Sequence, residues 1–227
     1  MGLQRHDEVV LLLGAPGAGK GTQARFLAAT LQVPHVASGD LLREHRQAAT
    51  ELGRAAQEYM ERGDLVPDAL VVDMIVDRLD KADAVAGALL DGFPRTIAQA
   101  EALDGRLRQR GGTIRTAIYV EVPPEVLVER LAGRWMCRRC QSTFHELFNP
   151  PAKNGACDMC EGELYQRSDD KREVVANRVA VYLRDTLPVV ARYDDQKILR
   201  RVNGNRSIDE VKADLRRAVG ADQAILA

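Results

Sequence analysis

A glycine-rich loop near the N-terminus constrains the fold of this chain more than any other feature. The apolar run at residues 9–13 ends at Gly14, and the pattern Gly14-x-x-x-x-Gly19-Lys20 leads into a helical stretch at residues 22–31. A strand buried on both faces, a phosphate-binding turn and a helix, in that order, form a P-loop. Its glycines permit turns that point backbone N–H groups at a polyphosphate, and the lysine and the helix N-terminus add positive charge. The loop therefore predicts an α/β fold that binds a nucleotide.

Two details near the P-loop concern a magnesium ion. The strict pattern has Ser or Thr directly after the lysine to contact Mg²⁺, but here Gly21 follows and Thr22 comes next. Asp91 ends a second apolar strand, and at the same sheet edge its carboxylate can hold Mg²⁺ directly or through water. A helix cap or a turn is the alternative role for Asp91, and a glycine turn without function is the alternative for the loop.

Strand and helix signals alternate along most of the chain. Apolar runs predict strands at residues 9–13, 87–91, 116–122 and 197–202. Helical stretches lie between or after them, at residues 22–31, 67–79, 96–110, 124–131, 171–193 and 207–219. This alternation predicts a parallel sheet covered by helices on both faces, which is the three-layer sandwich of P-loop proteins.

Two segments interrupt the alternation. Residues 38–66 are polar and helical, and residues 133–170 contain all the cysteines and few aliphatic side chains. We expect both to be insertions over the carboxyl ends of the strands, where α/β sheets bind ligands. The predicted domains are therefore a core made of residues 1–37, 67–132 and 171–227, a helical insertion at 38–66, and a lid at 133–170.

The composition excludes several classes of protein. A chain of 227 residues suits one main body with small insertions. Its net charge is −1, so no overall positive field attracts nucleic acid or a membrane surface. No apolar run approaches the ~18 residues of a membrane span, and the N-terminus lacks the apolar stretch of a signal peptide. We expect a cytoplasmic protein with no nucleic-acid or membrane partner.

Four cysteines form two closely spaced pairs in the second interrupting segment. They are Cys137, Cys140, Cys157 and Cys160, with 16 residues between the pairs. This is the spacing of a tetrahedral zinc site, and four protein ligands leave no open position, which indicates a structural role. A segment of 38 residues is too small to be stabilised by apolar burial alone. Two disulfides and a zinc ribbon that binds nucleic acid are the alternatives. His145 and Asp158 are interpreted as surface residues or as neighbours of the ligands.

Four motifs together resemble the adenylate kinase family in its long-lid, zinc-binding form. They are Gly-Ala-Pro-Gly-Ala-Gly-Lys-Gly-Thr at 14–22, Ser-Gly-Asp-Leu-Leu-Arg at 38–43, Asp-Gly-Phe-Pro-Arg-Thr at 91–96 and Phe-Asn-Pro-Pro at 148–151. The resemblance covers residues 9–219. It implies transfer of the terminal phosphoryl group of ATP, bound with Mg²⁺, to AMP, which gives two ADP, by a monomer. A kinase with another pair of nucleotides, such as GTP and AMP, and a non-catalytic binding protein are the alternatives.

The resemblance also implies roles for individual residues. On the ATP side it implies Gly17, Ala18, Gly19, Lys20, Gly21, Thr22, Arg130, Arg134, Thr143, Phe144 and Arg206. On the AMP side it implies Ser38, Arg43, Asp64, Leu65, Val66, Gly92, Phe93, Pro94, Arg95, Gln99, Arg167 and Arg178. The implied catalytic cations are Lys20, Arg95, Arg134, Arg167 and Arg178. Such cations suit the reaction, because the two substrates bring roughly six negative charges and charge gathers on the moving group.

Some of these roles have named alternatives. Each arginine is also explained by an ordinary exposed charge, and Arg172 and Arg184 compete with Arg178 for its role. Gln99 is expected to read the adenine edge, because a carboxamide both donates and accepts; a surface position on its helix is the alternative. Many members of the family have Thr at the position of Ser38. Serine keeps the hydroxyl group of threonine and lacks its methyl group. Gly133 and residues 168–170 are predicted hinges of the lid.

Overall fold

The fold places five parallel strands at the centre of the molecule. The computed structural model describes residues 8–170 and 172–220, except for the side chains of Ser168, Arg172 and Glu173. The central strands are β1 (Glu8–Leu13), β2 (His35–Ala37), β3 (Gly87–Asp91), β4 (Thr113–Glu121) and β8 (Leu199–Asn203). Their order across the sheet is β2-β3-β1-β4-β8, and all pairings are parallel. The predicted α/β class with a parallel sheet is confirmed.

Helices pack around this sheet, and two of them lie in the first interrupting segment, residues 38–66. They are α1 (Lys20–Leu31), α2 (Ser38–Gln47), α3 (Glu51–Arg62), α4 (Asp68–Leu79), α5 (Ile97–Gln109), α6 (Pro124–Ala132), α7 (Arg172–Val181), α8 (Leu187–Asp195) and α9 (Ile208–Ala218). Helices α2 and α3 make up most of residues 38–66. They approach closely at Gly53, where a Cβ atom would lie 2.2 Å from the carbonyl oxygen of His45. No helix in the described part of the chain is long and apolar enough to cross a membrane.

The predicted strands and helices are present, with shifts that have local causes. Strand β4 begins three residues before its predicted start, at Thr113. Thr96 and Ser207 cap α5 and α9 by accepting hydrogen bonds from backbone N–H groups, so each helix begins one residue later than predicted. The predicted helix at 171–193 is divided by a π-helical turn at Tyr182–Thr186. Pro188, the second residue of the next helix, has no N–H group to continue the helical hydrogen bonds, which accounts for the division. Lys171, the predicted start, lies outside the described residues.

A second, small sheet was not predicted. Strands β5 (Arg134–Cys137), β6 (Thr143–His145) and β7 (Leu164–Tyr165) form an antiparallel sheet in the order β6-β5-β7. Its few apolar side chains, with two of the cysteines, make a separate small core that includes Phe144 and Leu164. These strands are two to four residues long, too short to show a periodic pattern in the sequence.

The parallel sheet brings the functional loops to one edge. Leu12 of β1 and Ala37 of β2 both pair with Asp91 of β3. Because these strands end together, the P-loop, the start of α2 and the loop after β3 meet at the carboxyl edge of the sheet. The strands themselves are buried in the main hydrophobic core, so this edge has a rigid base.

Candidate active site

A large cavity lies at the carboxyl edge of the parallel sheet. Its volume is about 1130 Å³, above the range of roughly 300–1,000 Å³ that is usual for a single small ligand. Its walls include residues of the P-loop, of α2, of the loop before α4, of the loop after β3, of α6 and α7, and of the small sheet. The cavity is therefore larger than a single small ligand usually needs.

Nearly all residues that the sequence predicts to bind nucleotide or magnesium line this cavity. The exception is Phe93, whose side chain is 1% exposed and belongs to the hydrophobic core. Its ring is a large apolar group with more to gain from burial than from a polar wall. The predicted AMP-binding role of Phe93 therefore stays a prediction for its backbone, because its ring packs in the core. The peptide bond that follows it, to Pro94, is cis.

The P-loop surrounds the ammonium group of Lys20. Gly17 and Gly19 have φ values of +86° and +88°, and a Cβ atom on Gly17 would lie 2.9 Å from the carbonyl oxygen of Leu127. Lys20 Nζ donates hydrogen bonds to the carbonyls of Gly14 and Ala15 at 2.8 and 3.0 Å. Burial lowers the pKa of Lys20 to about 8, the charge of Asp91 opposes this change, and Arg95 reinforces it. The hydrogen bonds of Lys20 Nζ go to uncharged carbonyls, so its positive charge remains available to an anion in the cavity.

Asp91 is held beside Lys20 by a histidine that the sequence analysis missed. His35 Nε2 lies 3.2 Å from Asp91 Oδ2. Burial by itself would raise the pKa of Asp91, but the hydrogen bond from His35 and the charge of Lys20 hold it below its usual range. The carboxylate is therefore ionised and faces a cavity, which fits a ligand of Mg²⁺. His35 begins β2, a strand of three residues that is too short to predict.

Three arginines converge on two aspartates where the second interrupting segment returns to the core. Arg134 donates to both carboxylate oxygens of Asp170, from Nε at 2.8 Å and from Nη2 at 2.5 Å. Arg178 Nη1 lies 3.0 Å from Asp170 and 3.2 Å from Asp169. Arg167 forms a two-pronged pair with Asp169. The cluster carries one more positive than negative charge.

Burial makes these ion pairs electrostatically strong. The side chain of Asp170 is 1% exposed. Burial alone would raise the pKa of Asp169, but Arg167 and Arg178 lower it to about 2. Burial lowers the pKa of Arg178 to about 10, against the opposing charge of Asp169. The arginines thus stay charged and ordered before any phosphate arrives. Of the competing arginines, Arg184 is 72% exposed and pairs with Asp185, and the side chain of Arg172 lies outside the described residues.

The loop after β3 is fixed by hydrogen bonds from three elements. Ser38 Oγ and Arg95 Nε both donate to the carbonyl of Gly92, at 2.7 Å. Thr186 Oγ1, in the π-helical turn, donates to the carbonyl of Arg95 at 2.9 Å. The sequence analysis gave no role to Thr186, because its contact depends on how the C-terminal helices cross the loop. Arg43 lies in the same wall of the cavity and pairs with Asp40.

Gln99 is a buried residue and not a surface glutamine. It is 1% exposed. Its Oε1 accepts a hydrogen bond from the backbone N–H of Arg95 at 2.8 Å, and its Nε2 donates to Asp68 Oδ1 at 2.8 Å. One lone pair and one N–H of the amide remain for a ligand in the cavity.

Two further arginines, Arg130 and Arg206, also line the cavity. Arg130 donates to the carbonyl of Gly204 at 2.8 Å, and its guanidinium lies 5.8 Å from the centre of the Phe148 ring. The side chain of Arg206 pairs with Glu210 and Asp214 of α9. These two carboxylates hold the guanidinium of Arg206. The backbone carbonyl of Arg206 is the group that is expected to lie near ATP.

Comparison with known proteins gives a consistent answer. A family model described as adenylate kinase matches residues 12–198. A protein named adenylate kinase from Geobacillus sp. (strain WCH70) is 48% identical over 214 residues, which cover 94% of this chain and 99% of the relative. Adenylate kinases of Caldicellulosiruptor bescii and Methanocella arvoryzae are 47% and 49% identical, over 94% and 92% of this chain and 99% and 97% of their own lengths. The chain belongs to the adenylate kinase family.

The four cysteines of this adenylate kinase family member converge on one point. Their sulfur atoms all lie within 4.8 Å of one another. The nearest pairs, Cys137 with Cys160 and Cys140 with Cys157, are 3.5 Å apart. A disulfide needs about 2.05 Å, whereas sulfurs around a tetrahedral zinc ion are about 3.8 Å apart when each lies ~2.3 Å from the metal. All four thiols are free. The arrangement fits a metal ion better than two disulfides.

The surroundings of the cluster also fit a metal site. Backbone N–H groups of Arg139 and Met159 point at Cys137 and Cys157 sulfurs, at 3.3 and 3.4 Å, as expected around thiolates. At Gly162 a Cβ atom would lie 2.9 Å from the sulfur of Cys137, so a larger residue would disturb the ligands. Arg25 of α1 donates to the carbonyl of Cys140, which connects this segment to the core.

His145 has a structural role that the sequence analysis did not identify. It is 8% exposed, so it is no surface residue. Its Nδ1 accepts hydrogen bonds from the backbone N–H groups of Leu147 and Phe148 at 3.0 and 3.1 Å. A Cβ atom on Gly133 would lie 2.5 Å from His145 Nε2, which gives a packing reason for this glycine. His145 thus holds the turn that presents Phe148 to the cavity. Asp158 accepts a hydrogen bond from the N–H of Ala152.

Proposed function

We propose that this protein transfers the terminal phosphoryl group of ATP to AMP, reversibly, and so produces two ADP. The observation that carries the proposal is that one cavity is lined by the P-loop, by the buried Gln99 and by several arginines. A P-loop alone indicates only a bound nucleotide. Gln99 has one lone pair and one N–H left to bind a base, which implies a second nucleotide in the same cavity as the one at the P-loop. Family membership supports the same reaction, since each relative named above is called an adenylate kinase.

The roles follow from the position of each residue in the cavity. We assign the phosphates of ATP to Gly17–Thr22 and its adenine and ribose to Arg130, Thr143, Phe144 and the Arg206 carbonyl. We assign AMP to Ser38, Arg43, Asp64, Leu65, Val66, Gly92, Pro94, Arg95 and Gln99. The cations Lys20, Arg95, Arg134, Arg167 and Arg178 would surround the phosphoryl group in transit.

These cations would act by position and charge. Phosphoryl transfer leaves the protein little covalent chemistry to do. The protein has to stabilise the charge on the moving group and to align the attacking and leaving oxygens. A guanidinium binds two phosphate oxygens at once and does not lose its proton. The carboxylates of Asp169 and Asp170 form ion pairs with Arg134, Arg167 and Arg178. They keep the guanidiniums ordered, and the excess positive charge remains available to phosphate.

Two metal ions are part of the proposal. Mg²⁺, bound with ATP, supplies positive charge to the phosphate oxygens, and Asp91 and Thr22 would hold it directly or through water. Both lie in the cavity wall next to Lys20. Zinc would be held by Cys137, Cys140, Cys157 and Cys160 and would stabilise the fold of the lid. It has no open coordination position with which to act on a substrate.

We assign residues 133–170 to a lid and residues 38–66 to an AMP-binding insertion that close over the cavity from two sides. Closure would exclude water, which otherwise accepts the phosphoryl group and hydrolyses ATP. Gly133 and residues 168–170 stay predicted hinges, and Asp169 and Asp170 connect the second hinge to the arginines. We expect a cytoplasmic monomer, as the family resemblance implies.

A direct product assay tests the reaction. Purified protein is incubated with Mg²⁺ and each pairing of ATP, GTP, CTP or UTP with AMP, GMP, CMP or UMP, and the nucleotides are separated. We expect ADP from ATP and AMP at a rate at least ~10-fold above the other pairs, since each mismatched base edge costs ~1–3 kcal/mol. The ATP analogue in which the β–γ bridging oxygen is replaced by CH₂ is the control and should give no product. Fast transfer from GTP would favour the alternative donor, and transfer from no pair would refute the proposal.

A further inference from the structure

The amide of Gln99 is held on two sides by groups of opposite character. The backbone N–H of Arg95 can only donate a hydrogen bond, and it donates to Oε1 at 2.8 Å. The carboxylate of Asp68 can only accept when ionised, and it accepts from Nε2 at 2.8 Å. Rotating the amide by 180° would place Nε2 against the N–H and Oε1 against the carboxylate. Gln99 is 1% exposed, so water cannot compensate for either mismatch.

Asp68 is itself fixed in this position. It is the first residue of α4, and its second oxygen accepts a hydrogen bond from Thr96 Oγ1 at 2.9 Å. The same hydroxyl accepts from the backbone N–H of Gln99 at 3.1 Å. Because the hydroxyl proton of Thr96 points at Asp68 and its lone pair at the N–H of Gln99, the three residues form a closed set of hydrogen bonds. The carboxylate is therefore held against Nε2.

The fixed amide matches one class of purine. Adenine presents an amino donor at position 6 beside a ring-nitrogen acceptor, and these complement the free lone pair and the free N–H of Gln99. A 6-oxo purine presents a carbonyl oxygen at position 6, which would face Oε1, acceptor against acceptor. It would fit only if the amide rotated, and Asp68 opposes that rotation.

We propose that Asp68 is a positioning residue that sets the base selectivity of the AMP site by fixing the orientation of the Gln99 carboxamide. The inference rests on the proposed function, since it requires that AMP binds with its base at Gln99. Asp68 does not line the cavity, so it acts through Gln99 and not by contact with the nucleotide.

The test compares AMP with IMP, which differ at position 6 and in the protonation of the adjacent ring nitrogen. Dissociation constants are measured by calorimetry without ATP, and kcat/KM with ATP, for the parent protein and for Asp68→Asn. An asparagine can accept from or donate to Gln99, so it no longer opposes the rotated amide, and only the backbone N–H of Arg95 still does. We expect the preference for AMP over IMP to fall about 10-fold or more, because a mismatched base edge is worth roughly 5- to 150-fold. Asp68→Ala, which removes the acceptor, should shift the ratio in the same direction.

The matched control is Asp73→Asn, which removes the same charge from an exposed position of the same helix. It should leave the ratio within twofold of the parent. A purely structural role for Asp68 would weaken AMP and IMP binding equally, and an unchanged ratio in both Asp68 variants would overturn the inference while the reaction stands. If the parent protein neither binds AMP nor phosphorylates it, the proposed function fails and takes this inference with it.

Discussion

Replacing Arg95 by alanine will lower kcat/KM for the ATP and AMP reaction by roughly 10³- to 10⁵-fold, the range seen when a transition-state arginine is removed from a phosphoryl-transfer site. Arg95 lies in the loop after β3, its Nε donates to the carbonyl of Gly92 at 2.7 Å, and it interacts with the charges of Lys20 and Asp91. Burial lowers the pKa of Arg95, while the charge of Asp91 raises it. The hydrogen bond to Gly92 sets the position of this guanidinium beside the P-loop lysine.

The comparison needs a matched arginine and a check of the fold. Arg184→Ala removes a guanidinium that is 72% exposed and paired with Asp185, so its kcat/KM should stay within about twofold of the parent. Arg95→Lys keeps the charge without the two-pronged geometry and should recover only part of the rate. Circular dichroism establishes that each variant is folded. Near-normal turnover by folded Arg95→Ala would remove Arg95 from the catalytic set.

Loss of the zinc ligands will unfold the lid before the body of the protein. In Cys157→Ser, or after chelation, we expect hydrogen exchange at residues 134–165 to rise while strands β1, β3 and β4 stay protected. Structural zinc contributes an apparent ~10–16 kcal/mol at neutral pH in small zinc domains, whereas the lid core outside the cysteines is limited to a few side chains such as Phe144 and Leu164. The KM for ATP should rise at least ~10-fold, and the KM for AMP should change less.

Met159→Ser is the control for the cysteine variant. Met159 lies between Cys157 and Cys160, is 75% exposed and has no sulfur in the cluster, so its zinc content and exchange pattern should match the parent. Zinc is measured by elemental analysis, with one ion per chain expected. Metal-free parent protein, or thermal unfolding that is the same with and without chelator, would contradict the structural role of the metal.

The sequence predicts this fold well where a signal is local. Residues 9–13 form one apolar run and become the buried part of β1, and Gly17 and Gly19 adopt the positive φ that their motif requires. The helices predicted to begin at Thr96 and Ser207 are present, and these two residues cap them from the position just before the first helical residue. The cysteine spacing likewise predicted the convergence of four thiols.

What the sequence does not reveal depends on how distant segments meet. His35 lies against Asp91 only because a three-residue strand joins the sheet edge. Asp68 contacts Gln99 across 31 positions of the chain, and Thr186 contacts Arg95 across 91. Phe93 stands inside a binding motif, yet its ring turns into the core. None of these contacts leaves a periodic or spaced pattern, so only the tertiary structure identifies them.

A crystal structure with two adenosines joined by a five-phosphate bridge tests whether both nucleotides share one site. We expect one such molecule per chain in the 1130 Å³ cavity, with one base at Gln99, the other at Arg130, and phosphate oxygens bound by Arg43, Arg95 and Arg134. A molecule bound elsewhere, or those three guanidiniums pointing into solvent, would refute the proposed arrangement.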